Sequence, residues 1–370
     1  MSEDWPDGWY RDVAPRQPSE GGSAWPAQPP PRSGFPPDGG RPRAPGRGWR
    51  RWLRPRRVLA ILAALVVLIV LAAVAFYFDL NSKLTRANVL VPAQLTSAGT
   101  NWLITGSDSR GGLTREQEDQ LALGHDVSGG RSDTIMLLHI PSNAGRPVLV
   151  SIPRDSYVPI PGNGYNKINA AYAIGGPRLL IQTVQDATGL HIDHYMGIGF
   201  GGLVGVVNDL GGVRICLPAP MRDPLAGLNL KAGCQVINGG QALSFSRTRA
   251  FANGDLQREQ DQRVLLKALL DKMTSAGTLI NPFAVIPAAS GAASVLTVDQ
   301  GTQLSGLVSI AFALRNPVTT TVPFGGFENT SVGSVVLWDT AAAKVFFGDL
   351  ANDRTLPKSL ITGSSIEGTA

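Results

Sequence analysis

The sequence predicts an α/β fold in which one mixed β-sheet is flanked by helices and preceded by one transmembrane helix. An uncharged run of 21 residues at 58–78 is long enough to cross a bilayer as a helix. Beyond it, short apolar runs of strand length alternate with helix-length amphipathic segments. Several strand-length runs, such as MLLHI and VLVSI, are apolar on both faces, which is typical of a sheet covered on both sides.

The first 57 residues form a basic, proline-rich tail. They carry 11 Arg against 6 Asp and Glu, which accounts for the whole formal net charge of +5. With 12 Pro and 8 Gly, this stretch cannot bury enough apolar surface to offset the entropy of ordering, so we expect residues 1–57 to be disordered. The remainder of the chain is electrically balanced, which excludes a broadly basic nucleic-acid-binding domain.

The uncharged run at 58–78 predicts an uncleaved membrane anchor. A cleaved signal peptide is the competing interpretation, but its apolar region is shorter, about 7 to 15 residues, and lies near the N-terminus. Eight arginines and two tryptophans lie in the N-terminal flank of the run, between residues 41 and 57. By the positive-inside rule, the arginines indicate that the N-terminus stays in the cytoplasm. We therefore expect a single-pass plasma-membrane protein whose larger, extracytoplasmic part follows the anchor.

The outer region is predicted to be one domain at 101–352, preceded by a stalk at 79–100 and followed by a C-terminal tail at 353–370. Strands are predicted at 102–105, 134–140, 148–152, 244–250, 319–322 and 335–338. Helices are predicted at 169–188, broken near 175–177 by two glycines and a proline, and at 256–273, 303–314 and 340–350.

The outer region contains two cysteines, Cys216 and Cys234. An even count beyond a membrane span, in a compartment that can be oxidising, favours a disulfide, and the alternative is two isolated buried thiols.

Charged residues are sparse, 16% of the chain, and they gather where apolar strands begin or end. Asp108 and Arg110 follow the strand at 102–105, and Arg131 and Asp133 precede the strand at 134–140. If these strands pair as a hairpin, Asp108 and Asp133 lie at the same sheet edge.

Three later segments also carry polar groups, and together with the two segments above they could converge on one cleft. Arg154 and Asp155 follow the strand at 148–152, and period 2 in the predicted strand at 244–250 puts Arg247 and Arg249 on one face. The next helix carries three further polar residues on one face, and these are Asp255, Arg258 and Gln262.

This set of residue types predicts a pyrophosphate site. Two carboxylates without His or Cys suit a hard cation such as Mg²⁺, and several guanidinium groups suit an anion of high charge density. The alternative is that each Arg forms a structural ion pair with a neighbouring Asp. The sequence has no GxxxxGK[ST] phosphate loop, no HExxH and no GxSxG, which leaves an ATPase, a zinc peptidase and a serine hydrolase unsupported.

The motifs GSDSR, RSDTIMLLHI, SIPRDSYV, KINAAYAIGGP, HIDHY, GGVRICLP, INGGQALSFSRTRA and DLQREQDQ occur in the order of the LytR-CpsA-Psr family. The chain resembles this family specifically over about residues 100–275, and its tail, anchor and cysteines are similar to the actinobacterial branch. The resemblance implies an enzyme that moves a phospho-glycan from a polyprenyl-pyrophosphate carrier to peptidoglycan. It also implies a deep apolar pocket for the prenyl chain and a magnesium cofactor, with Mn²⁺ as an alternative. No nucleic-acid partner is expected, because the outer region is electrically balanced.

Carried over to this chain, the resemblance assigns roles to individual residues. Asp108 and Asp133 would hold the metal, and five arginines would surround the pyrophosphate, namely Arg110, Arg131, Arg154, Arg247 and Arg249. The rim would be completed by Asp155, Lys167, Arg258 and Gln262. The sequence departs from the family at Asp261, where many members carry a basic residue.

The implied reaction is in-line attack by the 6-hydroxyl of a muramic acid unit on the glycan-proximal phosphorus, with Asp155 or Asp108 as proton acceptor. Attachment of arabinogalactan follows if the actinobacterial similarity holds. Three alternatives stay open: a lipid-pyrophosphate hydrolase, a non-catalytic receptor for lipid-linked anionic glycans, and a transcriptional regulator. The regulator is the weakest, because the sequence has no helix-turn-helix pattern and the folded part is predicted outside the cytoplasm.

Overall fold

The computed structural model describes residues 55–92, 94–108, 115–120, 132–248, 254–273, 275 and 282–361. The chain divides into a unit of residues 1–64 and a unit of residues 65–370. Nearly all of the predicted disordered tail at 1–57 lies outside the described residues.

The described chain contains nine α-helices and fifteen strands. The helices are α1 (Pro55–Lys83), α2 (Arg115–Gln120), α3 (Ile168–Thr188), α4 (Phe200–Asp209), α5 (Gly239–Arg247), α6 (Gly254–Met273), α7 (Pro282–Val295), α8 (Leu304–Ala313) and α9 (Thr340–Ala351). The strands are β1 (Thr85–Ala87), β2 (Thr100–Ser107), β3 (Ser132–Ile140), β4 (Val148–Ser151), β5 (Tyr157–Ile160), β6 (Gly164–Lys167), β7 (His194–Gly199), β8 (Val213–Leu217), β9 (Met221–Asp223), β10 (Leu228–Leu230), β11 (Gly233–Ile237), β12 (Leu296–Asp299), β13 (Val318–Thr321), β14 (Phe324–Thr330) and β15 (Gly333–Trp338).

Helix α1 contains the uncharged run at 58–78 and extends five residues beyond its end. By length and composition it is able to cross a membrane, and it is the one helix of that kind among the described residues. Helix α1 therefore matches the membrane-crossing helix that the sequence predicted before the α/β domain.

A mixed seven-stranded sheet forms the centre of the domain, in the order β1-β12-β7-β2-β3-β4-β13. Strands β2 and β7 are parallel, whereas β3 is antiparallel to both β2 and β4. The register places the ends of β2, β4 and β7 beside the start of β3, because Ser107 pairs with Ser132 and Gly199, and Ser151 pairs with Met136. We call this side of the sheet, marked by Ser107, Ser132, Ser151 and Gly199, the site edge.

Helices cover both faces of the sheet, as the two-sided apolar strands predicted. On one face, Leu103, Leu137 and Val150 pack with residues of α3 and α9 in the largest hydrophobic core. On the other face, Trp102, Ile104 and Met136 pack with residues of α8. The predicted break in the helix at 169–188 is confirmed, since Gly175 and Gly176 leave the helical conformation and Pro177 follows them.

Two predicted boundaries differ from the structure. Much of the segment assigned to a stalk at 79–100 belongs to the domain, because β1 pairs in parallel with β12 and Val89 is buried in the largest core. The assigned C-terminal tail at 353–370 also begins inside the domain. Asp353 accepts hydrogen bonds from the Ser142 backbone at 2.8 Å and contacts His139 Nε2 at 2.9 Å, and Leu356 is buried.

The predicted strand at 244–250 is wrong as far as it is described. The chain forms helix α5 there, so Arg247 is the last residue of a helix and does not lie on a strand, whereas Arg249 lies outside the described residues. Asn238 and Gln241 form a capping box in which each side chain accepts a hydrogen bond from the other residue's backbone, and this cap starts the helix.

The predicted disulfide is present, because Cys216 on β8 and Cys234 on β11 are directly paired and bonded to each other.

Candidate active site

The β2–β3 hairpin brings the two predicted metal-binding positions to the site edge. Asp108 follows the last residue of β2 directly, and Asp133 lies in β3 next to Ser132, which pairs with Ser107 across a bulge. The side chain of Asp108 is half-buried, whereas that of Asp133 lies outside the described residues. The expected juxtaposition is therefore confirmed for the backbone.

Carboxylate oxygens are the ligands that hard cations such as Mg²⁺ prefer. The half-buried carboxylate of Asp108, next to the backbone of Asp133, is chemically suited to hold such a cation at the site edge. The magnesium that the family resemblance implies stays a prediction, because only the Asp108 carboxylate of the expected pair is among the described side chains.

A second group of predicted residues meets where β4 leaves the site edge. Arg154 Nε donates to Asp155 Oδ2 at 3.3 Å, and Lys167 Nζ lies 2.9 Å from Asp155 Oδ1. The three side chains are partly buried, with exposed fractions of 15%, 13% and 25% for Arg154, Asp155 and Lys167. We call this set the Arg154 cluster.

Backbone hydrogen bonds fix the turn that carries the Arg154 cluster. The carbonyl of Arg154 accepts from the Asn169 backbone at 3.2 Å, so the turn is tied to the first residues of α3. On the other side, the carbonyl of Asp155 accepts from the Val336 backbone at 2.9 Å. Because the turn is held by two separate elements, the guanidinium of Arg154 starts from a fixed backbone position.

An apolar cavity of about 570 Å³ opens beside the site edge. Its walls come from strands β2, β3 and β7 and from helices α4, α6, α7 and α8. The apolar lining includes Ile104, Met136, Met196, Ile198, Leu203, Leu265, Leu266, Leu269, Met273, Ala292, Leu307, Ile310, Ala311 and Leu314. A cavity of this volume with mostly aliphatic walls is suited to a flexible hydrocarbon ligand.

Polar residues of the predicted site border this cavity at the site edge. Arg247, the last residue of α5, and Gln262 on α6 both line it, together with Ser107. The guanidinium carbon of Arg247 lies 5.6 Å from the centre of the Phe200 ring, a cation–π arrangement, and Gln262 donates to the Ser246 carbonyl at 3.3 Å. The cavity thus combines an apolar interior with a cationic border.

Several predicted site residues lie outside the described part of the chain. Arg110, Arg131 and Arg249 are among them, and Arg258 is placed in α6 by its backbone alone. Asp261, where the sequence departs from the family, is buried beside Gln262. Their roles therefore remain predictions.

Asp223 was not predicted as a site residue from the sequence, yet it hydrogen-bonds the residue that follows Arg247. Asp223 is buried, lines the cavity and accepts a hydrogen bond from the Thr248 hydroxyl at 2.8 Å. Its other oxygen accepts from the backbone of Leu225 and Ala226 at 3.0 and 3.2 Å. The MRDPLAG sequence, an Asp before a turn, was the available signal, since Asp commonly caps such turns.

A buried hydroxyl pair lies beneath the cavity wall. The oxygens of Thr105, which lines the cavity, and Tyr195 are 2.7 Å apart. Burial, together with nearby Tyr172, raises the pKa of Tyr195 well above its usual value. The phenol is therefore uncharged and holds Thr105 by a neutral hydrogen bond.

Comparisons with known proteins agree with this architecture. The chain is 49% identical over 272 residues to the probable cell wall biosynthesis protein LcpB of Corynebacterium glutamicum, which covers 73% of this chain and 66% of that protein. It is 35% identical over 166 residues to the polyisoprenyl-teichoic acid--peptidoglycan teichoic acid transferase TagU of Enterococcus faecalis, covering 44% of this chain and 54% of that protein.

A solved structure shares the fold. The LytR-Csp2A-Psr enzyme from Actinomyces oris superimposes with a TM-score of 0.58 at 21% identity, covering 73% of this chain and 96% of that chain. The present chain spans just under two thirds of LcpB and about half of TagU. The LytR_cpsA_psr family model matches residues 78–319, a range that contains the site edge, the Arg154 cluster and the cavity. The chain belongs to the LytR_cpsA_psr family.

Proposed function

We propose that this protein transfers a phospho-glycan from a polyprenyl-pyrophosphate carrier to a peptidoglycan hydroxyl, the 6-hydroxyl of muramic acid, during cell-wall assembly. The observation that carries the proposal is the apolar cavity of about 570 Å³ that ends in Arg247, Gln262 and Ser107 at the site edge. A polyprenyl pyrophosphate matches this arrangement, because it joins a hydrocarbon chain to an anion of high charge density. The name of TagU supports this substrate class.

In this proposal the prenyl chain occupies the cavity and the pyrophosphate lies at its polar border. Arg247 is held over Phe200, and guanidinium groups bind phosphate oxygens with directed hydrogen bonds. Arg154, fixed on its turn at the site edge, supplies a second cation. Preorganised positive charge of this kind stabilises the charge that develops in phosphoryl transfer.

The reaction forms one bond and breaks one bond at the same phosphorus. The acceptor hydroxyl oxygen bonds to the phosphorus next to the glycan, and the bond from that phosphorus to the bridging oxygen breaks. Polyprenyl phosphate leaves with the electron pair, and the hydroxyl proton is released. The product is a phosphodiester, and cleavage of the pyrophosphate drives the reaction without ATP.

We propose a positioning role for Asp155. One of its oxygens accepts from Arg154 and the other contacts Lys167, so the carboxylate orients two cations at the site edge. Asp108 and Asp133 would hold Mg²⁺, with Mn²⁺ as an alternative. When bound, the ion would neutralise charge on the pyrophosphate oxygens.

The test uses the full-length protein in detergent micelles with a synthetic polyprenyl-pyrophosphate glycan, Mg²⁺ and peptidoglycan fragments. Mass spectrometry should detect a peptidoglycan phosphodiester and an equal amount of polyprenyl phosphate. Glycan phosphate formed equally with and without peptidoglycan would identify a hydrolase instead. Tight binding of the carrier without any product would identify a receptor.

Arabinogalactan is the glycan we propose, because LcpB belongs to an actinobacterium.

A further inference from the structure

Two consecutive helices of the domain contain no charged residue. Helices α7 and α8 together comprise 24 residues, and all of them are apolar or small and uncharged. A surface helix of a water-soluble domain normally carries charged groups on its outer face. Within α8 only Ile310 is buried, so this helix is not a core helix either.

The outer side of these helices exposes large apolar side chains. Ile286 on α7 is 46% exposed, and Val308 and Phe312 on α8 are 48% and 64% exposed. Val308 and Phe312 are four residues apart and therefore share one helix face. We call Ile286, Val308 and Phe312 the apolar face.

The apolar face belongs to helices that pack on the end of the anchor helix. Leu80 and Leu84 are buried against Ala293 of α7 and Val298. Phe76 packs against the same cluster, as do Leu304 and Leu307 of α8. Phe76 lies inside the uncharged run at 58–78, so α7 and α8 contact the predicted anchor near the end of its apolar run.

The inner side of the same helices lines the cavity. Ala292 of α7 and Leu307, Ile310 and Ala311 of α8 are part of its wall. The same two helices therefore carry both cavity-lining residues and the exposed residues of the apolar face. Basic groups lie at the C-terminal end of α8, where Arg315 is exposed and Arg146 donates to the Asn316 side chain at 2.8 Å.

We propose that α7 and α8 form a membrane-contacting surface, and that the apolar face is inserted among the lipids of the outer leaflet beside the anchor. The proposal rests on α1 spanning the bilayer and goes beyond the proposed transfer reaction. An interfacial helix binds by burying its apolar face at the boundary of headgroups and acyl chains, and basic groups favour anionic headgroups. A polyprenyl chain that leaves the outer leaflet then meets the helices that form the cavity wall.

Spin labels on the full-length protein test this proposal. The protein is reconstituted in vesicles of phosphatidylglycerol and phosphatidylethanolamine, with a nitroxide on Val308→Cys, Phe312→Cys or the control Val345→Cys. The native cysteines are bonded to each other, so the introduced thiol is the one that reacts. Val345 is 53% exposed on α9, which covers the opposite face of the sheet.

Collision rates with oxygen, which concentrates in the bilayer, and with a water-soluble nickel chelate report where each label lies. We expect the oxygen-to-nickel ratio to be several-fold higher at 308 and 312 than at 345. Equal ratios at all three positions would overturn the proposal. Spectral broadening between labels that disappears on dilution with unlabelled protein would also overturn it, because a second copy would then cover the face.

Alkaline carbonate extraction tests separately whether α1 spans the bilayer. If alkaline carbonate extracts the protein from the vesicles, α1 does not span the bilayer and the proposal falls with its premise. Neither result alters the transfer assay, because the labelled positions lie outside the Arg154 cluster and the polar border of the cavity.

Discussion

Lys167 Nζ lies 2.9 Å from Asp155 Oδ1, and this contact joins the last residue of β6 to the turn that follows β4. The other oxygen of Asp155 accepts from Arg154 Nε at 3.3 Å. One carboxylate therefore orients two cations that are adjacent to the site edge. This arrangement supports the proposed positioning role of Asp155, which would orient Arg154 and Lys167 toward the pyrophosphate.

Replacing Arg154 should abolish transfer without unfolding the protein. Arg154→Ala removes a fixed cation from the site edge, and loss of one such group commonly costs a factor of about 100 to 1000 in turnover. Thermal unfolding should change little, because Asp155 keeps its contact with Lys167 when the Arg154 side chain is removed. The control is Arg178→Ala, an exposed arginine on α3 that donates to the Leu90 carbonyl at 3.3 Å. Near-normal turnover of Arg154→Ala would remove this arginine from the mechanism.

A bulky side chain in the cavity should weaken the binding of long-chain donors more than that of short-chain donors. Ala311→Trp adds a large side chain to the cavity wall, so we expect KM to rise about tenfold for a long polyprenyl donor, a loss of about 1.4 kcal/mol of binding. A donor with a single isoprene unit should be much less affected. Ala341→Trp, at an exposed position of α9, is the matched control. The same KM increase for both donors would contradict a chain-binding cavity.

The disulfide should contribute measurably to stability. Cys216 and Cys234 are 18 positions apart. Closing a loop of about this length lowers the conformational entropy of the unfolded chain and stabilises the folded state by about 3 kcal/mol. The double substitution to Ala should therefore lower the free energy of unfolding by about that amount. Chemical denaturation of the two proteins measures the difference. An unchanged denaturation midpoint would mean that the bridge is energetically neutral.

Acid should destabilise the domain through Asp299. Burial raises its pKa, but hydrogen bonds from His194, Thr302 and the Tyr195 backbone outweigh this and lower the pKa to about 2. A depressed folded-state pKa stabilises the fold above the unfolded value of 3.8 and loses that contribution as the pH falls toward 2. The contribution is about 2 kcal/mol at neutral pH.

Asp299→Asn is the substitution that tests this linkage. It should lower stability at neutral pH and flatten the loss of stability between pH 4 and pH 2, as measured by denaturation at each pH. If the wild-type protein and Asp299→Asn lose stability in parallel over this range, another carboxylate is responsible.

Much of the sheet was predictable because its strands are locally distinctive. Strands β2, β3 and β4 contain the uninterrupted apolar runs WLI, IMLL and VLV, and such runs are typical of strands buried on both faces. Strand β1 was missed because its three residues, TRA, carry no apolar pattern and depend on pairing with β12. Strand β7 was missed because its glycines weaken the alternation.

The error at 244–250 shows where local pattern fails. LSFSRTRA alternates with period 2, but the capping box of Asn238 and Gln241 starts a helix that buries Leu243 and Phe245 completely. Tertiary packing outweighed the weak strand pattern. The residue pattern predicted Arg154 and Asp155 as site residues, whereas Lys167 was predicted only through the family resemblance. Its contact with Asp155 depends on the β5–β6 hairpin, which brings residue 167 back to residue 155.

Photocrosslinking with a polyprenyl pyrophosphate that carries a diazirine near the end of its chain tests the central claim most directly. The full-length protein is irradiated with the probe and digested, and the modified residues are identified by mass spectrometry. We predict labels on cavity residues of α6 and α8, such as Leu265, Leu269 and Ile310, that excess unlabelled polyprenyl pyrophosphate removes. Specific labelling confined to the other face of the sheet, among residues of α3 and α9, would contradict the account.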